Sequence, residues 1–137
     1  MSLQARKASQ VDYYSMKVTE IAFVAYPVTN LQRARKFYEQ TLGLAVSQIF
    51  GDDTKGWVEY DLGANTLAIG NKNPDWKPSA GGGSVALEVE DMSAAVSQLK
   101  SDGHPPFLGP LETPVCYIAV VSDPDGNSIT IHQRKPA

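Results

Sequence analysis

The chain has 137 residues, which suits one domain, and a fold of that size buries ~68% of the surface of its unfolded chain without disulfides. Apolar residues make up 42% and charged residues 20%, as in ordinary globular proteins. The net charge of −3 argues against a nucleic-acid partner, and no apolar run approaches the ~18 residues of a membrane span. The single cysteine, Cys116, excludes an internal disulfide, and we expect a cytoplasmic protein in which it is buried.

The first half of the chain alternates between strand and helix patterns. Residues 1–15 lack the apolar segment of a secretory signal, and we interpret them as a native extension, an alternative start or a cloning remnant before a single domain, 16–137. Alternating apolar residues predict a strand over 18–28. Asn30 then caps a helix, or Thr29 does so one residue earlier. Three further strands are predicted over 45–50, 57–62 and 66–70.

A linker rich in proline, glycine and serine, residues 71–83, separates this half from a second one with the same order of elements. A strand is predicted over 84–89, and Asp91 caps the helix that follows. Short strands come next, and these include 115–121 and 128–132.

The two halves form a weak internal repeat. One fixed shift along the chain aligns Asn30 with Asp91, both of which are predicted helix caps. We therefore predict an α+β fold of two βαβββ modules, about 16–72 and 83–133, which form curved, mostly antiparallel sheets around a cavity. The later strands of each module cannot all be parallel because their connections are too short for crossovers.

The alternate residues that point away from the helices are predicted to form a ligand pocket, because this face mixes small, aromatic and polar groups. Phe23 and Trp57 are the aromatic residues best placed to stack a flat ligand, while Trp76 in the linker acts either as a flap or as a dimer contact. The predicted pocket residues are Phe23, Ala25, Trp57, Glu59, Ala68, Ser84, Ala86, Glu88, Thr130 and His132.

Two motifs carry a resemblance to a known family. Asn30-Leu31 opens a helix that bears Phe37-Tyr38 and ends at Leu42-Gly43-Leu44, and Asp123-Pro124-Asp125-Gly126-Asn127 precedes the last strand. With the repeat, this pattern resembles the vicinal-oxygen-chelate superfamily, the glyoxalase, bleomycin-resistance and extradiol-dioxygenase group, over roughly residues 16–133. The resemblance implies a cupped sheet around a ligand cavity and, commonly, a homodimer.

Active members of that family hold a divalent metal with His, Gln or Glu from the first and fourth strand of each module. Carried onto this chain, those positions fall at Phe23, Ala68, Ser84 and Thr130, and none of these side chains is a competent metal ligand. The strand-one Arg that glyoxalase-type members use for the glutathione carboxylate falls at Pro27. The resemblance thus implies the scaffold without its usual metal site.

An alternative site uses His132 and Glu88, which share one face of the second module. With Glu59 or Asp61, they form either a displaced metal site or an acid–base pair. This alternative predicts a metal-dependent lyase, isomerase or dioxygenase.

We favour a protein without a cofactor that binds a small molecule, such as an aromatic one, and catalyses no reaction. It is expected to be homodimeric and to have neither nucleic acid nor membrane as partner. A third interpretation is an interaction module whose cupped face is closed by a partner chain, with residues 1–15 involved. The identity of the ligand does not follow from the sequence.

Overall fold

The computed structural model describes residues 16–17 and 19–136. These residues form two mixed four-stranded sheets and two helices, joined by turns and loops. The first half contains β1 (Val24–Pro27), α1 (Leu31–Lys36), β2 (Val46–Gly51), β3 (Gly56–Leu62) and β4 (Asn65–Gly70). The second half contains β5 (Val85–Glu88), α2 (Met92–Ser101), β6 (Leu108–Glu112), β7 (Cys116–Ser122) and β8 (Ser128–Arg134). The predictions for residues 1–15 lie outside the described residues.

Each half forms its own sheet, in the order β1-β4-β3-β2 and β5-β8-β7-β6. The pairs β1/β4 and β5/β8 are parallel, and the other neighbouring strands are antiparallel. The predicted α+β class with two mostly antiparallel βαβββ sheets is confirmed. Among the described residues, neither helix combines the length and the apolar content that crossing a membrane requires.

Both helices begin at the predicted caps. The Asn30 side chain accepts a hydrogen bond from the Arg33 N–H at 3.0 Å, and the Asp91 side chain accepts one from the Ala94 N–H at 3.2 Å. Asn30, rather than Thr29, is therefore the cap of α1. After α1, one wider π-helical turn, Phe37–Thr41, continues the chain.

The first strand is shorter than the alternation predicted. Only Val24–Pro27 forms β1, so the strand predicted over 18–28 was wrong for residues 19–23 and 28. The reason lies in its parallel partner, in which Val24 is paired with Leu67. Since β4 begins at Asn65, only two residues before Leu67, it has no backbone to pair with residues before Ala22.

The two sheets meet along a seam between β1 and β5. At this seam the Tyr26 hydroxyl accepts a hydrogen bond from the Val85 N–H at 2.7 Å and donates one to the Ser128 carbonyl at 2.9 Å. Burial raises the pKa of Tyr26, which favours the protonated hydroxyl that can make both bonds. One side chain thus makes the hydrogen bonds that backbone pairing would otherwise make between the sheets.

The Asp-Pro-Asp-Gly-Asn turn fastens the second half to the first. Asp123 is 3% exposed and accepts hydrogen bonds at Oδ2 from the Tyr38 hydroxyl at 2.9 Å and from the Asn127 side chain at 2.8 Å. Asn127 also donates to the Pro27 carbonyl at 2.8 Å. These buried bonds give Asp123 and Asn127 a structural role, because both side chains are already paired within the protein itself.

A continuous core lies between the helices and the helix-facing sides of both sheets. Its largest buried side chains include Phe37 and Tyr38 from the π-helical turn, both 2% exposed or less. The members of this core with 0% exposure are Ala34, Tyr38, Val58, Tyr60, Ile69, Ala119 and Ile129, and Ala68, on the other side of the first sheet, is also 0% exposed.

Candidate ligand site on the open sheet faces

The open faces are the sides of the two sheets turned away from the helices. On the first sheet, Glu59 pairs with Ala68, and Ala68 pairs with Ala25, so these three residues share the open face. Their strand neighbours Val58 and Tyr60 belong to the core on the other side. The register therefore agrees with the alternation on which the pocket prediction was based.

On the second sheet, Ala86 pairs with Thr130, and Glu88 pairs with His132. Ser84 precedes β5, and its hydroxyl lies 3.2 Å from the Thr130 hydroxyl. The predicted pocket residues are therefore brought together within each sheet. Their role in ligand binding stays a prediction.

Three aromatic side chains gather on the first sheet, and we call Phe23, Trp57 and Trp76 the aromatic cluster. The Phe23 and Trp57 rings meet edge to face at 5.4 Å, and the Trp57 and Trp76 rings stack at 6.3 Å. Phe23 is 48% and Trp76 is 38% exposed. These apolar rings, open to solvent, are suited to contact a flat molecule.

Two neighbours hold the Trp57 ring in place. Its indole N–H donates to Glu59 Oε2 at 2.8 Å. Gly70 lies beneath the ring, since a Cβ there would approach Trp57 Cε3 to 2.7 Å. Gly70 ends the strand predicted over 66–70, and a glycine in a strand pattern is a signal of such a close approach.

The second sheet carries an imidazole–carboxylate pair, which we call the dyad. His132 Nδ1 lies 2.6 Å from Glu88 Oε1, and Glu88 Oε2 accepts the backbone N–H of Arg134 at 2.7 Å. The bond from Arg134, followed by that from His132, lowers the pKa of Glu88. A Glu88 carboxylate only accepts, so Nδ1 of His132 is the donor in the pair.

Two cavities lie along the seam. One of about 600 Å³ is lined mainly by apolar side chains, with Ile21 and Val24 on one side and Ala86, Leu87 and Glu88 on the other. The second, of about 350 Å³, is lined by Ala25, Pro27, Trp76, Ser84 and Asn127, among others. Predicted pocket residues of both sheets thus border common space. A further groove of about 550 Å³ between the helices contains none of the predicted pocket residues.

The residues at the family's metal positions do not fit a divalent ion. Phe23 and Ala68 offer no donor atom, and the Ser84 and Thr130 hydroxyls contact each other at 3.2 Å. Within residues 16–17 and 19–136, no group of three or more His, Cys, Asp or Glu side chains is placed to hold a metal. Glu59 and Asp61 lie on the first sheet, where Glu59 accepts from the Trp57 indole N–H, and a role for either beside the dyad stays a prediction.

The fold and these motifs define a recognised class of protein. The chain belongs to the Glyoxalase/Bleomycin resistance protein/Dioxygenase superfamily, whose family model matches residues 20–131. Among solved structures it is similar to TnmS3, an antibiotic-binding protein from Streptomyces sp. CB03234, with 25% identity and a TM-score of 0.73 over 88% of this chain and 100% of that chain. A glyoxalase/bleomycin resistance protein from the same strain shows 26% identity and a TM-score of 0.68 over 83% of this chain and 100% of that chain.

A curated relative from Brassica oleracea var. gemmifera carries a name that assigns it to the lactoylglutathione lyases. It is 26% identical over 96% of this chain and 50% of its own length. The chain therefore spans about half the length of this relative.

Proposed function

We propose that this protein binds a small aromatic molecule on the open sheet faces and needs no resident metal to do so. The observation that carries this proposal is the aromatic cluster, in which Phe23 and Trp76 are 48% and 38% exposed and Trp76 lines the cavity of about 350 Å³ at the seam. Aromatic rings held in this way give a flat ligand a large contact area at little entropic cost. We further propose that binding, rather than a reaction, is the activity, that the protein acts in the cytoplasm, and that it is a homodimer.

Similarity to TnmS3 supports ligand binding, because that protein is described as antibiotic-binding and shares 25% of its residues with this chain. Independence from metal is supported by chemistry, because Phe, Ala, Ser and Thr stand at the positions where the family's metal ligands would lie. Fold alone does not decide function in this superfamily, so these residues carry more weight than the architecture.

The test is a titration with N-phenyl-1-naphthylamine, an uncharged aromatic dye whose fluorescence rises in an apolar site. We expect saturable binding that Phe23→Leu weakens about 2–10-fold and Trp57→Leu weakens further, since an aromatic contact contributes ~0.5–1.5 kcal/mol beyond its area. Phe107→Leu is the matched control, because Phe107 is 61% exposed and lies outside the aromatic cluster. Equal affinity in all four proteins would show that the site lies elsewhere, and no saturable binding would contradict the proposal.

The second candidate function is a metal-dependent lyase, isomerase or dioxygenase centred on the dyad. The 2.6 Å contact of His132 with Glu88 favours it, as does similarity to the Brassica protein. Against it, two side chains supply fewer ligands than the three protein donors of typical catalytic zinc sites.

Metal content and melting temperature separate the two functions. We expect no ion to copurify, and no rise in melting temperature with Ni²⁺, Zn²⁺, Mn²⁺, Fe²⁺ or Co²⁺, because only an ion bound by the folded state stabilises it. One ion per chain, lost together with turnover in His132→Ala, would instead establish the second candidate.

A further inference from the structure

We propose that Lys77 gives the site a preference for aromatic ligands that carry an acidic group, a carboxylate or a sulfonate. This inference rests on the proposed function and adds the chemical class of the ligand. It assigns the ring of the ligand to Trp76 and its negative group to the Lys77 ammonium. Both residues line the cavity of about 350 Å³ at the seam, which we call the linker cavity.

The linker cavity joins an aromatic surface to a single charge. Trp76 lines it and stacks on Trp57 at 6.3 Å, so a ligand in this cavity contacts a member of the aromatic cluster. Among the described residues that line the cavity, Lys77 alone carries a charge. A volume of about 350 Å³ lies at the lower end of the range of ~300–1,000 Å³ that is typical of small-molecule sites. The cavity therefore suits one small molecule with a ring and an anionic group.

Lys77 is available to pair with a ligand. Its side chain forms no ion pair with residues 16–17 and 19–136. An ammonium group has three hydrogen-bond donors and no acceptor, and an anion is the strongest partner for it. Glu59, the carboxylate beside the aromatic cluster, accepts from the Trp57 indole N–H at 2.8 Å and is not among the described residues that line the linker cavity. A ligand anion therefore meets the cation of this cavity without a competing carboxylate from the described residues.

The linker is fixed on both sides of Lys77. Before it, Trp76 stacks on Trp57 of the first sheet. After it, the Ser79 N–H donates to the Asn127 side chain at 3.1 Å. The proline that follows Lys77 restricts the lysine backbone to extended conformations. A cation on a backbone held in this way loses less conformational entropy when it binds an anion.

Neutral donors in the same linker add to the charge of Lys77. Gly82 and Gly83 line the cavity, and a Cβ at either would meet nothing within 4 Å, so their backbone borders open space. The Ser79 hydroxyl, also in the lining, accepts the Gly81 N–H at 3.1 Å, which leaves its own O–H to donate. A carboxylate or sulfonate has several acceptor oxygens, so it can accept from these groups as well as from the ammonium.

The test compares N-phenyl-1-naphthylamine with 8-anilinonaphthalene-1-sulfonate, a dye that has the same aromatic skeleton and an added sulfonate. Both are titrated by fluorescence at neutral pH and low salt. We expect the sulfonate dye to bind the wild type about 2–5-fold more tightly, because an ion pair near the surface makes a modest contribution. In Lys77→Gln its affinity should fall about 2–5-fold while that of the uncharged dye stays the same, and Lys77→Arg should keep the preference. Added salt, at about 0.5 M NaCl, should reduce the preference of the wild type by screening the pair.

Lys100→Gln is the matched control, because it removes the same charge from an exposed lysine on α2, on the helix side of the second sheet. It should leave both affinities unchanged. A wild type that binds the uncharged dye as tightly as the sulfonate dye, or a preference that survives in Lys77→Gln, would overturn the inference while aromatic binding stands. If the uncharged dye binds and the sulfonate dye does not, the inference alone fails. If neither dye binds, the proposed function fails with it.

Discussion

At the seam, single side chains make the hydrogen bonds that join the strands, whereas in other sheets backbone groups make them. Tyr26 is 5% exposed, and its hydroxyl joins the Val85 N–H to the Ser128 carbonyl. Removing the hydroxyl leaves a buried backbone N–H without its partner, which costs more than the bond itself contributes.

We predict that Tyr26→Phe lowers the free energy of unfolding by about 1–3 kcal/mol, measured by chemical denaturation. Tyr117→Phe is the control, because the described residues give its hydroxyl no hydrogen-bond partner and its ring packs beside Lys135. That variant should stay within ~0.5 kcal/mol of the wild type. Equal effects of the two substitutions would show that the Tyr26 hydroxyl does not join the sheets.

At the scale of elements, the alternation of apolar residues predicted where strands lie, and the capping residues predicted where helices begin. Neither pattern predicted how long a strand is. Asn30 and Asp91 were identifiable as caps because their chemistry is local. The extent of β1 was not, because a strand pairs only where its neighbour offers backbone, and β4 begins only two residues before Leu67, the partner of Val24. The open faces followed from period two, yet the contact of His132 with Glu88 also required the parallel register of β5 and β8.

A glycine in β4 sets the position of the aromatic cluster. We predict that Gly70→Ala shifts the Trp57 ring, since the new Cβ would lie 2.7 Å from its Cε3 atom, and weakens the binding of N-phenyl-1-naphthylamine about 2–10-fold. Near-ultraviolet circular dichroism should report the shifted ring. Gly81→Ala in the linker is the control, because its Cβ would make only an ordinary contact, 3.7 Å from Ser79 Oγ. An unchanged tryptophan spectrum in Gly70→Ala would show that the sheet, rather than the ring, adjusts.

At the scale of the whole molecule, the internal repeat predicted two modules but not how they join. The joint depends on Tyr26 and on the buried Asp123 network, whose partners lie 59 to 102 residues apart along the chain. A local sequence pattern does not encode such pairs, because other residues of the chain are equally plausible hydrogen-bond partners when only the sequence is known. The way in which the two sheets join therefore became visible only in the structure.

The outer strands leave apolar side chains that a second copy of the chain can cover. Phe50 on β2 pairs with Trp57 on the open face, and Leu111 on β6 pairs with Ile118, yet Phe50 and Leu111 are 49% and 50% exposed. Exposed apolar side chains on the outer strands, which form the rims of the two sheets, are typical of an interface. Because each rim belongs to a different sheet, a symmetric dimer can set the first sheet of one copy against the second sheet of the other.

We predict that light scattering gives twice the chain mass of 14.8 kDa for the wild type and the single mass for Phe50→Glu, since a buried unpaired carboxylate opposes association. Lys55→Glu is the control, because it places the same charge on an exposed residue in the turn between β2 and β3. It should leave the dimer intact. A monomeric wild type would contradict the homodimer, and a dimeric Phe50→Glu variant would move the interface away from this rim.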